Sequence, residues 1–349
     1  MGEGEDAAPE ADRPGTTFEI QWEFASRQIA KELPTQDTRH DGRVNVASAP
    51  GHNQLIVMAP EIREALAAGG AVVALETTLV AHGFPHPEGA AVGAASEAAV
   101  RAAGAIPATI GVIDGRIRVG LTSVEVARFG EAGPAARKLG PRDLAVCAVQ
   151  SALGATTVGG TLAVCRVVGI TVMATGGLGG VHRGYPSPPD VSADLGELAR
   201  TPVVVVSAGI KSLLDVPATC EMLETLGVPI LGWRTDELPR FYSAHGGPPV
   251  SARVESANEV ARIARAHWDL GGGGIMLARP PDASLDDVEP LIDEAIAEAS
   301  RQGISGQAVT PFVLARLHER SGGRTLRANR DLIVANAGLA GRIATEAGV

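Results

Sequence analysis

From about Met58 onward, short apolar runs alternate with longer stretches of helical spacing. AVVALE, starting at Ala71, has the continuous apolar character of a strand buried on both faces. PEGAAVGAASEAAVRAAG, from Pro87, reads as a helix, and PATIGVI and RIRVGL flank Asp114-Gly115, a pair that favours a type I′ hairpin. LAVCAV, ITVMAT, PVVVVSAG and VPILGW read as further strands, with TTVGGTLAVCRVVG and PATCEMLETLG as helices between them. Ser256 with Glu259, and Ser284 with Asp287, have capping-box spacing ahead of helical segments. GGGGIMLARPP, from Gly271, reads as a loop entering a buried strand, and the stretch from Leu326 predicts a long helix.

Strands alternating with helices imply a largely parallel sheet covered on both sides. The expected fold is therefore α/β, a three-layer α/β/α arrangement with a small hairpin element, in a single domain over residues 56–349. Residues 1–55 are polar and rich in Pro, Gly and acids, which predicts a disordered extension, although Phe18 to Leu33 could form a short helix. There is no repeat of 20–50 residues, no GxGxxG and no Walker loop, which disfavours a nicotinamide or ATP enzyme of the common kinds.

Composition narrows the partners. A formal charge of -10 argues against broad nucleic-acid binding, yet allows a local positive pocket for a small phosphorylated ligand. No stretch has the roughly 18 apolar residues of a membrane span. The acidic start MGEGEDAAPEADRPG lacks the apolar core of a secretory signal, so a cytoplasmic location is expected. Cys147, Cys165 and Cys220 lie in apolar surroundings without metal-ligand spacing and read as buried thiols of a reducing compartment.

In sheets of this kind, ligands gather at the carboxyl ends of strands. Glu76 closes AVVALE ahead of TTLVAHGFPHPEG; a carboxylate there suits a general acid or base, or else orders the loop. ATGGLGGVHRG, from Ala174, offers backbone donors beside His182 and Arg183 and suits an anion such as phosphate, or serves only as a turn. Asp190 and Asp194 flank Ser192 at a helix start. Capping by Asp190 or Ser192 is one reading; the other is a hard divalent cation held by Asp190 largely through water. Lys211 follows PVVVVSAG, where desolvation would lower its pKa and a neutral amine could attack a carbonyl; a snorkelling lysine is the bland counterpart. Lys138 sits with Arg137 and Arg142 in either a phosphate clamp or a solvated basic face.

The ordered set ALETT, HGFPHP, KLGPRDL, GATTVGGT, ATGGLGGVHRG, DVSADL, SAGIKSLLD, TPFVLAR and an Asn-bearing C-terminal helix resembles the pseudouridine-5′-phosphate glycosidases, also called the indigoidine synthase A-like family. The likeness runs from about Met58 to Val349. It implies reversible cleavage of pseudouridine 5′-phosphate by water to uracil and ribose 5-phosphate. It further implies Glu76 as proton donor, Lys211 as nucleophile and Asp190 as the ligand of manganese, with magnesium or another divalent ion as substitutes. Substrate contacts implied in the same way are Lys138, Val158, Ser192, Ala193, Asp194, Asn329 and His182. A homotrimer and a kinase supplying the phosphorylated nucleoside also follow from the likeness. The competing readings are a Schiff-base enzyme for another C-nucleotide or sugar phosphate, and a non-catalytic sugar-phosphate-binding protein.

Overall fold

The computed structural model describes Met1 and residues 55–186, 189–304 and 309–347. The expectations for residues 2–54, the disordered extension and the short helix included, lie outside the described residues.

Six of the strands and part of a seventh form a parallel sheet. They are β2 (Val72–Leu75), β3 (Ile106–Ile113), β7 (Val172–Ala174), β8 (Val204–Ser207), β9 (Ile230–Trp233), β10 (Ala252–Val254) and β11 (Ile275–Ala278), in the order β3-β2-β7-β8-β11-β9-β10. Every neighbouring pair in that order is parallel. Alternate residues feed two separate apolar clusters, because successive side chains of a strand point to opposite faces. Val73, Leu75, Val172, Val204 and Ile275 join Val100, Val260 and Ile343 of the helices Glu88–Ala102, Ala257–Asp269 and Arg324–Ala347 on one side. Ala74, Met173, Val205 and Met276 join Leu162, Leu195 and Leu223 of the helices Val158–Val168, Ala193–Arg200 and Val216–Thr225 on the other. Burial on both faces is why these strands read as unbroken apolar runs, and the three layers are those expected.

The second half of β3 leaves this sheet for an annex. It turns at Asp114 and Gly115, with φ of 49° and 75°, and pairs antiparallel with β4 (Arg116–Val119), the type I′ geometry that the sequence predicts. β4 also pairs with β1 (Ile56–Met58), and β3 with β6 (Gly154–Thr156), which carries β5 (Arg137–Leu139). The annex brings Lys138, on β5, toward the main sheet.

Two expectations need correction. LAVCAV is the helix Leu144–Val149, started by a 3-10 turn at Pro141–Asp143. Its buried residues Leu144, Cys147 and Ala148 are spaced i, i+3, i+4 while Val146 and Val149 face solvent; with six apolar residues in a row, that spacing cannot be seen in the sequence. Ser284 does not cap a helix. Its hydroxyl accepts from Ala244 N, Asp287 pairs with Arg324, and the helix starts at Glu289 behind a 3-10 turn. Ser256 does cap as expected, accepting from Glu259 N at 3.1 Å.

Candidate active site

The strand order reverses between β2, whose next neighbour in sequence lies to one side, and β7, which continues into β8 on the other. A crevice opens at the carboxyl ends of strands at such a point. Glu76 follows β2, Thr175 follows β7, and the chain after β8 runs through Ala208 and Gly209 to Lys211.

The last two loops are sewn together. Leu178 N donates to Gly209 O at 3.0 Å and Lys211 N donates to Leu178 O at 3.1 Å. Gly209 has φ of 96°, and a Cβ there would lie 2.3 Å from Pro239 O, so only glycine lets the backbone turn Lys211 toward the crevice. A Cβ on Gly177 would meet the Phe241 ring at 2.6 Å and Lys211 Cγ at 3.3 Å. The glycine loop is thus the floor against which the lysine stem packs.

Glu76 is buried, and both of its carboxyl oxygens accept hydroxyl hydrogen bonds, one from Thr78 and one from Thr175. From the far side, the helix Arg324–Ala347 sets Asn329, Ile333 and Asn336 on one face over the loop. Asn336 Nδ2 donates to Thr175 O at 2.9 Å, while Asn329 Oδ1 and Ile333 Cγ1 lie next to Gly176. One cavity is lined by Glu76, Lys138, Lys211 and Asn329, with apolar wall from Leu79, Phe84, Leu314, Leu317 and Ile333.

Lys138 joins this cavity to its surroundings. Burial first, and the nearby charge of Lys211 second, hold its amine below the usual lysine range, against the opposing pull of Asp194 and Glu76. Arg137 and Arg142 turn to solvent instead, so the basic cluster divides between cavity and surface. His182 is pushed down chiefly by burial; Asp190, with its Oδ2 3.8 Å from His182 Nδ1, pulls it up, and Lys138 and Lys211 push it further down. Two lysines and His182 therefore share one electrostatic neighbourhood, suited to an anionic group. Arg183 is committed elsewhere, to Asp293 at 2.7 Å and to Ser212 O at 3.0 Å.

The other residues of interest gather around Asp194, outside the cavity lining. Its buried carboxylate accepts from Gly159 N at 2.7 Å and from Gly179 N at 3.0 Å, tying the start of the helix Val158–Val168 to the glycine loop. A Cβ on Gly179 would lie 2.5 Å from Asp194 Oδ2 and 2.4 Å from Ser192 Oγ. Ser192, not Asp190, caps the helix Ala193–Arg200, accepting from Asp194 N at 3.3 Å. Ala193 is exposed and Val158 is buried in the core. Asp190 keeps a side chain 43% exposed, and among the described residues no three His, Cys, Asp or Glu side chains cluster as a metal nest. Residues at the cavity that the sequence reading assigns no role are His82, Thr175, Phe241 and Tyr242. His82 and Thr175 lie inside recognisable motifs; Phe241 and Tyr242 have no local signal.

A parallel sheet with a carboxylate and two amines converging at its switch point defines an α/β enzyme-like fold with an anion-receptive cavity. Comparison with known proteins makes this specific. Residues 61–346 match the family described as indigoidine synthase A like protein, and the chain belongs to that family. The pseudouridine-5′-phosphate glycosidase of Myxococcus xanthus is 47% identical over 289 residues, covering 81% of this chain and 95% of that protein. The crystal structure of the prealnumycin C-glycosynthase AlnA in complex with ribulose 5-phosphate is 39% identical with a TM-score of 0.77, covering 84% of this chain and 97% of that one. An indigoidine synthase A-like protein from Thermotoga maritima is 36% identical, again with a TM-score of 0.77, over 85% of this chain and 98% of that one.

Proposed function

We propose that this chain cleaves the C–C glycosidic bond of pseudouridine 5′-phosphate reversibly, giving uracil and ribose 5-phosphate. The observation that carries the reading is the convergence of Glu76, Lys138 and Lys211 on one cavity at the sheet's switch point, in a member of this family. A C–C link has no leaving oxygen to protonate, so the paired-carboxylate route of ordinary glycosidases is poorly matched. An amine nucleophile answers the difficulty. Lys211 Nζ bonds C1′ as the C1′–O4′ bond breaks, and Glu76 delivers the proton that O4′ takes up; the Glu76 carboxylate then takes a proton from the ammonium formed at Nζ and passes it to uracil C5. Protonation of uracil C5 then lets the lysine nitrogen's lone pair form C1′=N while C1′–C5 opens and uracil leaves. Water adds to the iminium, freeing ribose 5-phosphate and the amine. Lys138 attracts the phosphate, and His182 stands beside it as a neutral hydrogen-bond donor.

For the metal, the donor set fits a hard and mostly hydrated divalent ion: one half-exposed carboxylate, Asp190, with room for water around it. Manganese there, or magnesium in its place, would neutralise substrate charge. Val158, Ser192, Ala193 and Asn329 complete the proposed substrate surroundings, and Asp194 shapes them. Self-association as a trimer has apolar surface to use in the exposed Val146 and Val149. Three free cysteines and the lack, among the described residues, of a helix long and apolar enough to cross a membrane support a cytoplasmic enzyme.

The test is uracil release from pseudouridine 5′-phosphate with Mn²⁺, and borohydride trapping of a sugar adduct. Lys211→Ala should lose both turnover and adduct; equal turnover in variant and wild type would remove Lys211 from the chemistry. A second reading, C–C bond formation between another aromatic partner and a sugar phosphate, draws support from the apolar cavity wall and from the likeness to a C-glycosynthase. Uracil exchange separates the two.

A further inference from the structure

Two side chains at the cavity present polar atoms that no protein group satisfies. Tyr242 is 2% exposed and its Oη has no hydrogen-bond partner; His82 Nε2 is likewise buried and unpaired. Buried polar atoms in native proteins are almost always paired, so an orphan at the wall of a cavity points to a partner that arrives with the ligand.

Both are held in place by other means. Tyr242 stacks edge-on against Phe241, with centroids 4.8 Å apart and an interplanar angle of 84°. Tyr242 N donates to Arg240 O at 2.7 Å and Leu285 N donates to Tyr242 O at 2.8 Å. Phe241 has φ of 62°, a conformation that a bulky residue keeps only when its surroundings enforce it. Its ring lies on Gly177, beside the stem of Lys211. This turn therefore seats Tyr242 in the wall of the cavity that holds the amine, with its hydroxyl buried and unpaired. His82 closes the short helix Thr78–His82, six residues beyond Glu76. Burial first, and the charge of Lys138 second, hold its ring below the usual histidine range against the pull of the Ala136 backbone, so the ring is neutral and the unpaired Nε2 is free to accept.

The reaction steps above use neither residue. A neutral hydroxyl and a neutral imidazole acceptor, with Leu79, Phe84 and Ile333 nearby, suit an uncharged planar ring that offers both carbonyls and N–H groups. They do not suit the phosphate, which has the amines of Lys138 and Lys211 at the same cavity. We infer that Tyr242 and His82 recognise the uracil ring, the Tyr242 hydroxyl donating to a ring carbonyl and His82 Nε2 accepting from a ring N–H. This rests on the function proposed above.

The reverse reaction tests it, because uracil and ribose 5-phosphate are then varied separately. Tyr242→Phe keeps the ring and its stacking and removes only the hydroxyl. His82→Asn keeps a donor toward Ala136 and removes the Nε2 acceptor, whereas His82→Gln puts a polar group back near the Nε2 position. Tyr242→Phe and His82→Asn should each raise the KM for uracil about tenfold, the usual scale for one substrate hydrogen bond. The KM for ribose 5-phosphate should stay within about twofold, the melting temperature should hold, and His82→Gln should recover most of the loss. A change confined to the ribose 5-phosphate KM, or no change in either KM, overturns the assignment while leaving the glycosidase reading intact. A wild-type enzyme inactive in both directions overturns both together.

Discussion

Asp194 is a buried carboxylate that the protein's own backbone already engages. It takes two backbone N–H groups, from Gly159 and Gly179, in a buried setting. Asp194→Ala leaves both donors unpaired and should cost about 3 kcal/mol of stability, measured as a shift in the urea midpoint at unchanged slope. Asp194→Asn keeps an acceptor for one of the two amides and should fall between alanine and wild type. Full stability in Asp194→Ala with weakened substrate binding would instead make the carboxylate a ligand contact. Sequence places this residue correctly beside Ser192 at a helix start. It cannot show the brace, because the two partners are 35 and 15 residues away and are glycines that advertise nothing beyond a turn. The same holds for Glu76: its position at the end of β2 is legible, but the Thr175 hydroxyl that engages it lies 99 residues downstream.

The long helix at the C-terminus joins the site to the rest of the domain. It packs one face on the helix Glu88–Ala102, where a Cβ on Gly341 would lie 2.6 Å from Ala103 Cβ, and sets Asn329, Ile333 and Asn336 over the glycine loop. Its start is tied to the preceding helix Val309–Arg320 by His318, whose Nδ1 is 2.9 Å from Thr325 Oγ1 and whose Nε2 is buried without a partner. Burial pulls the His318 imidazole down to about 4. An unfolded chain takes up that proton near pH 6.5 while the folded one resists it, so stability is complete above about 6.5 and is lost as pH falls toward 4. The side chain keeps some solvent contact, which reduces the effect to about 1–3 kcal/mol. His318→Gln should flatten the fall in urea midpoint between pH 7 and pH 5; an identical slope in the variant would assign that fall to other groups. Most elements were legible because apolar runs and helical spacing report burial directly. The exceptions have a physical cause: LAVCAV is apolar at every position, so its solvent-facing Val146 and Val149 look no different from its buried Cys147.

At the scale of the whole molecule, two apolar clusters on opposite faces of one sheet hold the fold, and the reactive groups sit where the strand order reverses. That crevice was legible as a set of strand ends; which groups share one cavity was legible only through the family resemblance, not from pattern or spacing. Lys138 arrives on the annex strand β5 and Asn329 on the last helix, and only the tertiary packing unites them with Glu76 and Lys211. This division of labour fixes what a metal can and cannot do here. Asp190 lies on an exposed stretch, and among the described residues no three ligating side chains converge, so a proposed Mn²⁺ would contribute to substrate binding and nothing to the core. Removing divalent ions with a chelator should therefore abolish uracil release while moving the melting temperature by less than about 3 °C, the scale of weak ligand linkage in a domain of this size. Asp190→Asn should behave like the chelated wild type, with activity no longer restored by added Mn²⁺. A fall in melting temperature of 10 °C or more on chelation would reveal a structural ion instead. Full activity in the chelated enzyme would mean that Lys138 neutralises the substrate without a metal.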